Sequence, residues 1–296
     1  MSLKSFSIAN LFSVKGKVAV VTGGGTGLGK AIATALTING AKVIIIGRRA
    51  EVVEATAKEL TDAAKEAGSE GECIAVQGDV ATKRGIVETY KEIGKVTDKL
   101  DYLVNNAGFS ANWRTIASDL NDPEQLEKML WSIEDSDFAN MTAIHVAGPY
   151  LLAVKCIPLF KNSQDPCITN ITSLAAQFFL NRAVCEYSYA QSKAAETHLT
   201  TLMAAGLSPY KIRVNSVSPG LFKSQLTTGG QDRFGEMWPP QQNACKNAIP
   251  KGREGHWEEL AGAVLMLASP AGGYTNAADI VIDGGWRLMT SAKDVE

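Results

Sequence analysis

The chain has 296 residues and a mass of 31.5 kDa, with 45% hydrophobic and 20% charged residues. This balance is typical of a globular protein with a sizeable core, and the length fits one α/β domain over residues 1–296. A net charge of −2 leaves no basic stripe for nucleic acid. No secretory signal or membrane span is expected, because no apolar run approaches roughly 18 residues.

Five cysteines are scattered along the chain with no CxxC pair, at positions 73, 156, 167, 185 and 245. An odd number without metal-ligand spacing indicates reduced thiols in a reducing compartment, so we expect a cytoplasmic location and no metal site. Cys185 lies in the stretch that carries the chemistry described below. There a packed bystander thiol is the preferred interpretation over a nucleophile.

Apolar, β-branched runs alternate with helical patterns in chain order. The predicted strands are 17–22, 42–46, 73–77, 100–105, 167–171, 212–217 and 279–282. The predicted helices are 28–39, 51–67, 83–96, 136–160, 189–206 and 258–268. The second strand is apolar at each of positions 43–46, which is typical of a strand buried on both faces of a parallel sheet. The alternation predicts a doubly wound parallel sheet (a Rossmann fold) with helices on both faces.

A glycine-rich turn joins the first predicted strand to the first predicted helix. The pattern Thr22-Gly23-x-x-x-Gly27-x-Gly29 lets the backbone turn tightly and approach a phosphate without Cβ clashes. The helix that follows points its free N–H groups and positive dipole end at a dinucleotide pyrophosphate. The candidate cofactor-binding residues of this turn are Gly23, Thr26, Gly27 and Leu28.

The end of the second predicted strand distinguishes between the two nicotinamide cofactors. A carboxylate at this point would bind the ribose 2′-OH of NAD, but the chain reads Gly47-Arg48-Arg49. Two guanidinium groups suit a 2′-phosphate through charge-assisted hydrogen bonds, which predicts NADP(H) as the cofactor. The alternative is that one or both arginines are solvated surface charges, and this applies more to Arg49 than to Arg48.

A tyrosine and a lysine lie one helical turn apart in Tyr189-Ala-Gln-Ser-Lys193. Both side chains emerge on one helix face, so the lysine charge would favour the phenolate and lower the pKa of Tyr189. Tyr189 would then act as the acid in reduction and the base in oxidation. Ser173, which follows the strand 167–171, would orient the substrate oxygen. Tyr187 has no lysine four residues further along.

Five motifs follow one another in the order typical of the short-chain dehydrogenase/reductase family, which the chain resembles over about residues 14–285. The first is the glycine turn at 22–29. The others are Gly78-Asp79-Val80, Asn105-Asn106-Ala107-Gly108, Ser173 with Tyr189-x-x-x-Lys193, and Ser218-Pro219-Gly220. A late Asp283-Gly284-Gly285 also fits the family pattern.

The resemblance implies a role for each of these segments. Asp79 would accept a hydrogen bond from the adenine amino group with Val80 packing nearby, and Lys193 would bind the nicotinamide ribose beside Tyr189. The nucleotide ribose would be lined by Asn106, Ala107 and Gly108. The nicotinamide and its phosphates would be contacted by Pro219, Gly220, Phe222 and Ser224. For Asn105 a tie between neighbouring strands is preferred over ligand contact.

Two departures from the family pattern stand out. Three residues before Gly148, on the long helix, the family usually has an asparagine that supports a proton relay, and this chain has His145. His145 is interpreted either as a substitute relay residue or as a partly buried helix histidine. The interval of 16 residues from Ser173 to Tyr189 is longer than the family habit, and it contains Phe178-Phe179-Leu180 and Arg182.

Three stretches are expected to set the substrate, namely 109–113, 174–186 and 226–250. Their apolar side chains suit a small hydrophobic or polycyclic ketone, although some of them will belong to the core. These side chains are Phe109, Trp113, Phe178, Phe179, Phe234, Met237 and Trp238. The Gly-, Pro- and Gln-rich stretch 221–255 is interpreted as a lid over the cleft, with a plain surface loop as the alternative.

The leading hypothesis is an NADPH-dependent reductase that converts a hydrophobic ketone to a secondary alcohol. The insertions resemble fungal-type ketoreductases of the family from secondary metabolism. An NADP-linked alcohol dehydrogenase working in the oxidative direction is the first alternative. A cofactor-binding protein that shapes a reactive substrate without redox turnover is the second. The resemblance also implies a homodimer or homotetramer that pairs the long helix and the Tyr-bearing helix across subunits.

Overall fold

Seven parallel strands form a single sheet in the order β3-β2-β1-β4-β5-β6-β7. The structure is a computed structural model that describes residues 3–111, 113–177, 186–230 and 232–289. The strands are β1 Val18–Thr22, β2 Lys42–Gly47, β3 Glu72–Gln77, β4 Tyr102–Asn105, β5 Cys167–Ile171, β6 Arg213–Pro219 and β7 Asp279–Ile282. Each predicted strand is confirmed within two residues at either end.

Helices cover both faces of this sheet, so the predicted doubly wound fold is confirmed. The α-helices before β5 are α1 Ile8–Leu11, α2 Gly27–Ile38, α3 Ala50–Glu66, α4 Lys83–Val96, α5 Pro123–Leu130, α6 Asp135–Thr142 and α7 Gly148–Phe160. Those after β5 are α8 Tyr187–Leu207, α9 Pro239–Asn247, α10 Trp257–Ala268 and α11 Trp286–Met289.

Two apolar clusters fill the space between the sheet and its helices. On one face, α2, α3 and α10 bury side chains such as Leu36, Leu60 and Leu260 against β1 and β2. On the other face, α4, α7 and α8 bury a second set that includes Leu152 and Met203. Burial on both faces explains why the central strands read as continuous apolar runs.

The long helix predicted over 136–160 is interrupted. The structure has α6, then a π-helical segment Ala143–Ala147, and then α7. Pro149 explains the interruption, because it has no N–H to donate to the carbonyl of residue 145 four positions earlier. Wide turns of this kind often occur at functional sites, and this one contains His145.

Four α-helices of the described residues were not predicted, namely the four-residue α1 and α11 and the longer α5 and α9. Helix α5 begins after Asp122, whose carboxylate accepts hydrogen bonds from the backbone N–H groups of Glu124 and Gln125. An Asp-Pro pair at a helix start is a recognisable signal, so the sequence could have revealed α5. Helix α9 lies within the stretch 221–255 and also begins with proline, at Pro239.

One helical run passes a length and composition test for crossing a membrane, contrary to the expectation that no apolar run approaches that length. It spans Asp135–Phe160, among the described residues that were searched. Half of its most apolar 18-residue window is buried inside the protein. Core helices of globular proteins pass the same test, and this run packs on the sheet through the second apolar cluster.

Candidate functional site

The carboxyl ends of β1 and β4 meet where the strand order reverses, which is where open α/β sheets bind ligands. The glycine turn after β1 packs directly on the segment after β4. The amide of Asn106 donates to the Thr22 carbonyl oxygen at 3.0 Å. A Cβ at Gly29 would stand 2.2 Å from the Gly23 carbonyl oxygen, so only glycine permits this approach. The expected turn residues therefore line the start of α2 and face the reversal point.

An acidic side chain from the stretch 221–255 lies on the N-terminus of α2. Oδ1 of Asp232 accepts a hydrogen bond from the backbone N–H of Gly27 at 2.9 Å. Burial raises the pKa of this carboxyl group, against the lowering effect of that N–H. Ser224 of the same stretch has its Cβ within 3.4 Å of the position of a Cβ on Gly27. Ser224 was among the expected cofactor-binding residues, whereas Asp232 was not, because no motif marks it.

The two arginines after β2 are exposed beside this turn. The Arg48 carbonyl accepts from the Gln77 side chain at 3.1 Å, and Nη2 of Arg49 lies 3.4 Å from Oε1 of Gln225. Asp79, at the end of β3, turns the next segment by accepting from the backbone N–H of Ala81. Two cationic side chains and one anionic side chain thus lie on consecutive strand ends of the same sheet edge.

Helix α8 carries the expected tyrosine and lysine, and a glutamate fixes its first turn. The buried carboxylate of Glu186 accepts from the backbone N–H groups of Ser188 and Tyr189 and from the Ser188 hydroxyl. Lys193 follows one turn later, with Nζ 6.0 Å from the centroid of the Tyr189 ring. The predicted pairing of Tyr189 and Lys193 on one face is therefore present in the structure.

The ammonium group of Lys193 is held from two sides. It donates to the Ile171 carbonyl at the end of β5 at 2.9 Å, and to Oε2 of Glu196 at 2.7 Å. Both members of this ion pair are buried. The pKa of Glu196 is raised to about 7 by burial, although the charge of Lys193 lowers it. Sequence reasoning missed Glu196, for which the signal was an acid three residues after the lysine.

His145 is almost completely buried and packs against the tyrosine, more deeply than the partly buried helix histidine considered from the sequence. Its ring meets the Tyr189 ring edge-on, with centroids 5.4 Å apart. Its Nδ1 lies 2.9 Å from the Ser192 hydroxyl, and its Nε2 has no hydrogen-bond partner among the described residues. Burial, and secondarily the charge of Lys193, lowers the pKa of His145 to about 2. The imidazole is therefore neutral at physiological pH.

Other expected site residues have structural contacts of their own. The Ser173 hydroxyl oxygen accepts from the backbone N–H of Ala175 at 3.1 Å and so starts the short helical turn after β5. Asn105 donates to Oδ1 of Asn170 at 2.8 Å, which confirms it as a tie between β4 and β5. The Phe222 ring lies in the first apolar cluster, so a contact with the nicotinamide would fall to the backbone of this residue.

The side chains expected to determine substrate specificity lie in different parts of the structure. Trp113 is buried with its ring edge-on to Tyr187, and half-exposed Phe109 lies 6.4 Å from the His145 ring. Met237 instead belongs to a third apolar cluster under the stretch 221–255. Phe234 and Trp238 are exposed. Outside the described residues lie Phe178, Phe179, Leu180, Arg182 and Cys185.

Comparison with known proteins gives consistent matches over nearly the whole chain. Residues 23–287 match the family described as Enoyl-(Acyl carrier protein) reductase. The chain is 38% identical over 291 residues to the "Short-chain dehydrogenase/reductase PhomF" of Diaporthe leptostromiformis, covering 97% of this chain and 96% of that protein.

Two solved structures resemble the fold closely. The "RhlG/NADP active-site complex" of Pseudomonas aeruginosa matches with a TM-score of 0.79 and 31% identity, covering 94% of this chain and 99% of that one. The 3-ketoacyl-(acyl-carrier-protein) reductase of Brucella melitensis, complexed with NADH, matches with a TM-score of 0.71 and 28% identity. The match covers 93% of this chain and 100% of the Brucella chain.

Proposed function

Because the chain belongs to the short-chain dehydrogenase/reductase family, we propose that it is an NADPH-dependent reductase that converts a hydrophobic ketone to a secondary alcohol. The single observation that carries this proposal is the Tyr189–Lys193 pair on one face of α8, with Nζ 6.0 Å from the ring centroid. Such a pair places a proton donor beside a fixed positive charge, which is the arrangement that carbonyl reduction needs.

The cofactor is a nicotinamide dinucleotide that supplies hydride when bound. The glycine turn fits a pyrophosphate. Its glycines have no Cβ atoms, so a phosphate can come close to the backbone N–H groups at the start of α2. Arg48 and Arg49 would bind a 2′-phosphate, since both are exposed at the end of β2. This favours NADP(H), as in the RhlG complex, whereas the Brucella reductase is complexed with NADH.

The chain's own residues would then act on the carbonyl. The Ser173 hydroxyl would donate to the substrate oxygen and orient it, and Tyr189 would transfer its phenolic proton to that oxygen. Lys193, protonated beside the tyrosine, would stabilise the phenolate that remains. In the oxidative direction the same residues would run in reverse, with the phenolate as base.

The apolar character of the nearby side chains supports a hydrophobic substrate. Phe109 and Trp113 lie beside His145 and Tyr187, so aromatic surface borders the reacting tyrosine. The relative from Brucella is named as a reductase of 3-ketoacyl groups, which is also ketone reduction.

The test measures oxidation of NADPH and NADH across a panel of hydrophobic ketones, in wild type and in Tyr189→Phe. The expected result is turnover with NADPH favoured, and loss of turnover in Tyr189→Phe with NADPH affinity within about twofold of wild type. The matched control is Tyr187→Phe, which changes the neighbouring tyrosine without a lysine one turn away and should retain turnover. Full activity of Tyr189→Phe would contradict the proposal.

A further inference from the structure

A buried ion pair on α8 joins Lys193 to an acidic residue three positions further along. Nζ of Lys193 lies 2.7 Å from Oε2 of Glu196, and both side chains are almost completely buried. Burying a carboxylate is unfavourable unless it is paired and hydrogen-bonded, and an apolar side chain would fill this space without that penalty. Packing alone therefore does not explain why α8 has a buried glutamate at position 196.

The pair also determines where the ammonium group points. An ammonium has three N–H donors, and two of them are directed at the Ile171 carbonyl and at Glu196. One acceptor belongs to the end of β5 and the other to α8, so the nitrogen is fixed relative to both elements. The third N–H has no acceptor among the described residues.

We propose that Glu196 is a positioning residue for the reaction: its carboxylate holds the Lys193 ammonium in place and offsets part of the positive charge acting on Tyr189. The inference rests on the proposed function, in which Tyr189 exchanges a proton. A negative charge near a coupled Tyr–Lys pair opposes its loss of a proton. Glu196 therefore raises the pH at which this pair gives up its first proton.

One other buried carboxylate lies close to this pair on α8, that of Glu186, which accepts from the Tyr189 backbone N–H. Among the described residues, Lys193 is the charged side chain that shifts the pKa of Glu196. The buried imidazole of His145 stays neutral. Two further charged groups on elements packed against α8 are engaged elsewhere. Arg213 of β6 pairs with Asp165, and Asp137 of α6 pairs with Arg114. A change at Glu196 therefore alters the charge near Tyr189 while Lys193 and Glu186 stay in place.

The test is an ultraviolet titration of the Tyr189 phenolate in the full-length enzyme without cofactor. Each protein is compared with the same protein carrying Tyr189→Phe, because the chain has seven tyrosines. Glu196→Gln keeps the shape and removes the charge, and we expect it to lower the apparent pKa of Tyr189 by about one unit. Glu196→Asp keeps the charge and should restore most of the wild-type value.

A matched control separates this role from general destabilisation of α8. Thr200 lies one turn further along, where its hydroxyl donates to the Glu196 backbone carbonyl and accepts from Asn170. Thr200→Val should lower the free energy of unfolding and leave the Tyr189 titration unchanged. Should Glu196→Gln fail to fold, Glu196→Met offers similar length for an apolar interior and the same loss of charge.

The titration does not depend on turnover, so the two proposals can fail separately. A Tyr189 pKa that is the same in wild type and in the uncharged variant would overturn the role of Glu196. A shifted pKa in an enzyme that reduces no ketone would support Glu196 as the residue that sets the Tyr–Lys charge and would overturn the proposed function. With turnover present, the pH profile of kcat for alcohol oxidation should shift by the same amount as the titration.

Discussion

The hydrogen bonds around His145 define its tautomer. The Ser192 hydroxyl has one proton and donates it to the Tyr189 carbonyl at 2.7 Å, so it must accept from Nδ1 of His145. The Nε2 atom is then an acceptor without a partner among the described residues. A Cβ on Gly108 would lie 2.6 Å from this atom. A neutral imidazole can accept a hydrogen bond here, but it cannot store a proton as imidazolium near neutral pH.

Arg48 provides the sharpest residue-scale prediction. Arg48→Ala should weaken NADPH binding by about 10- to 100-fold, the range expected for losing a charged hydrogen bond worth roughly 1.5–3 kcal/mol. NADH has no 2′-phosphate, so its affinity should change less than about twofold. Fluorescence titration with both cofactors measures this.

The control for this prediction is Lys65→Ala, which removes one exposed positive charge near the other end of α3. It should leave both affinities unchanged. Equal losses of NADPH and NADH in Arg48→Ala would show that Arg48 does not recognise the 2′-phosphate.

At the scale of elements, the stretch 221–255 contacts the glycine turn after β1 through the carboxylate of Asp232. Asp232 occupies the N-terminus of α2, where the pyrophosphate is expected, and it holds a left-handed backbone with φ of 58°. Two anions cannot share this end of the helix. Asp232→Asn should therefore tighten NADPH binding by about 2- to 5-fold, corresponding to roughly 0.5–1 kcal/mol at a helix terminus.

Calorimetric titration of NADPH measures this effect. Glu236→Gln is the matched control, because it makes the same charge change at an exposed position of the same stretch. Its affinity should equal that of wild type. A weaker affinity in Asp232→Asn would instead indicate that the carboxylate supports the bound cofactor.

The sequence was sufficient to predict those helices, strands and turns whose residue pattern is strong and local. Strands such as β2 are apolar at every central position, and the turn before α2 has glycines where the backbone needs them. The break between α6 and α7 was missed because apolar periodicity continues through a π-helical turn, and only Pro149 signals the change. A motif gives the position of Phe222 along the chain, whereas the direction of its ring depends on packing against Gly255.

The acidic residues of the site were harder to predict for a different reason. Glu196 and Asp232 contact their partners through tertiary packing, and neither belongs to a motif. Glu196 could have been found from its spacing to Lys193, since residues three apart share a helix face. Asp232 lies 205 positions from Gly27 along the chain, and only the path of the stretch 221–255 brings them together.

At the scale of the whole molecule, α7 and α8 pack on the same face of the sheet and expose apolar side chains outward. Tyr150 and Val154 of α7 are 47% and 41% exposed, and Leu202 of α8 is 57% exposed. Tyr150 and Val154 are four residues apart, so they form one stripe along α7. Exposed apolar surface on adjacent elements is typical of protein–protein interfaces, which favours a homodimer or homotetramer built on these helices.

We predict that the protein is an oligomer and that introducing charge on this surface dissociates it. The double variant Val154→Asp, Leu202→Asp adds two carboxylates to the apolar surface of each subunit. Unpaired charges buried in an interface disfavour association. Sedimentation velocity should show wild type at two or four times the 31.5 kDa chain mass and the double variant at the chain mass. Ile8→Asp, at a more exposed apolar residue of α1, should retain the wild-type assembly. A wild-type protein that sediments as a monomer would contradict the interface.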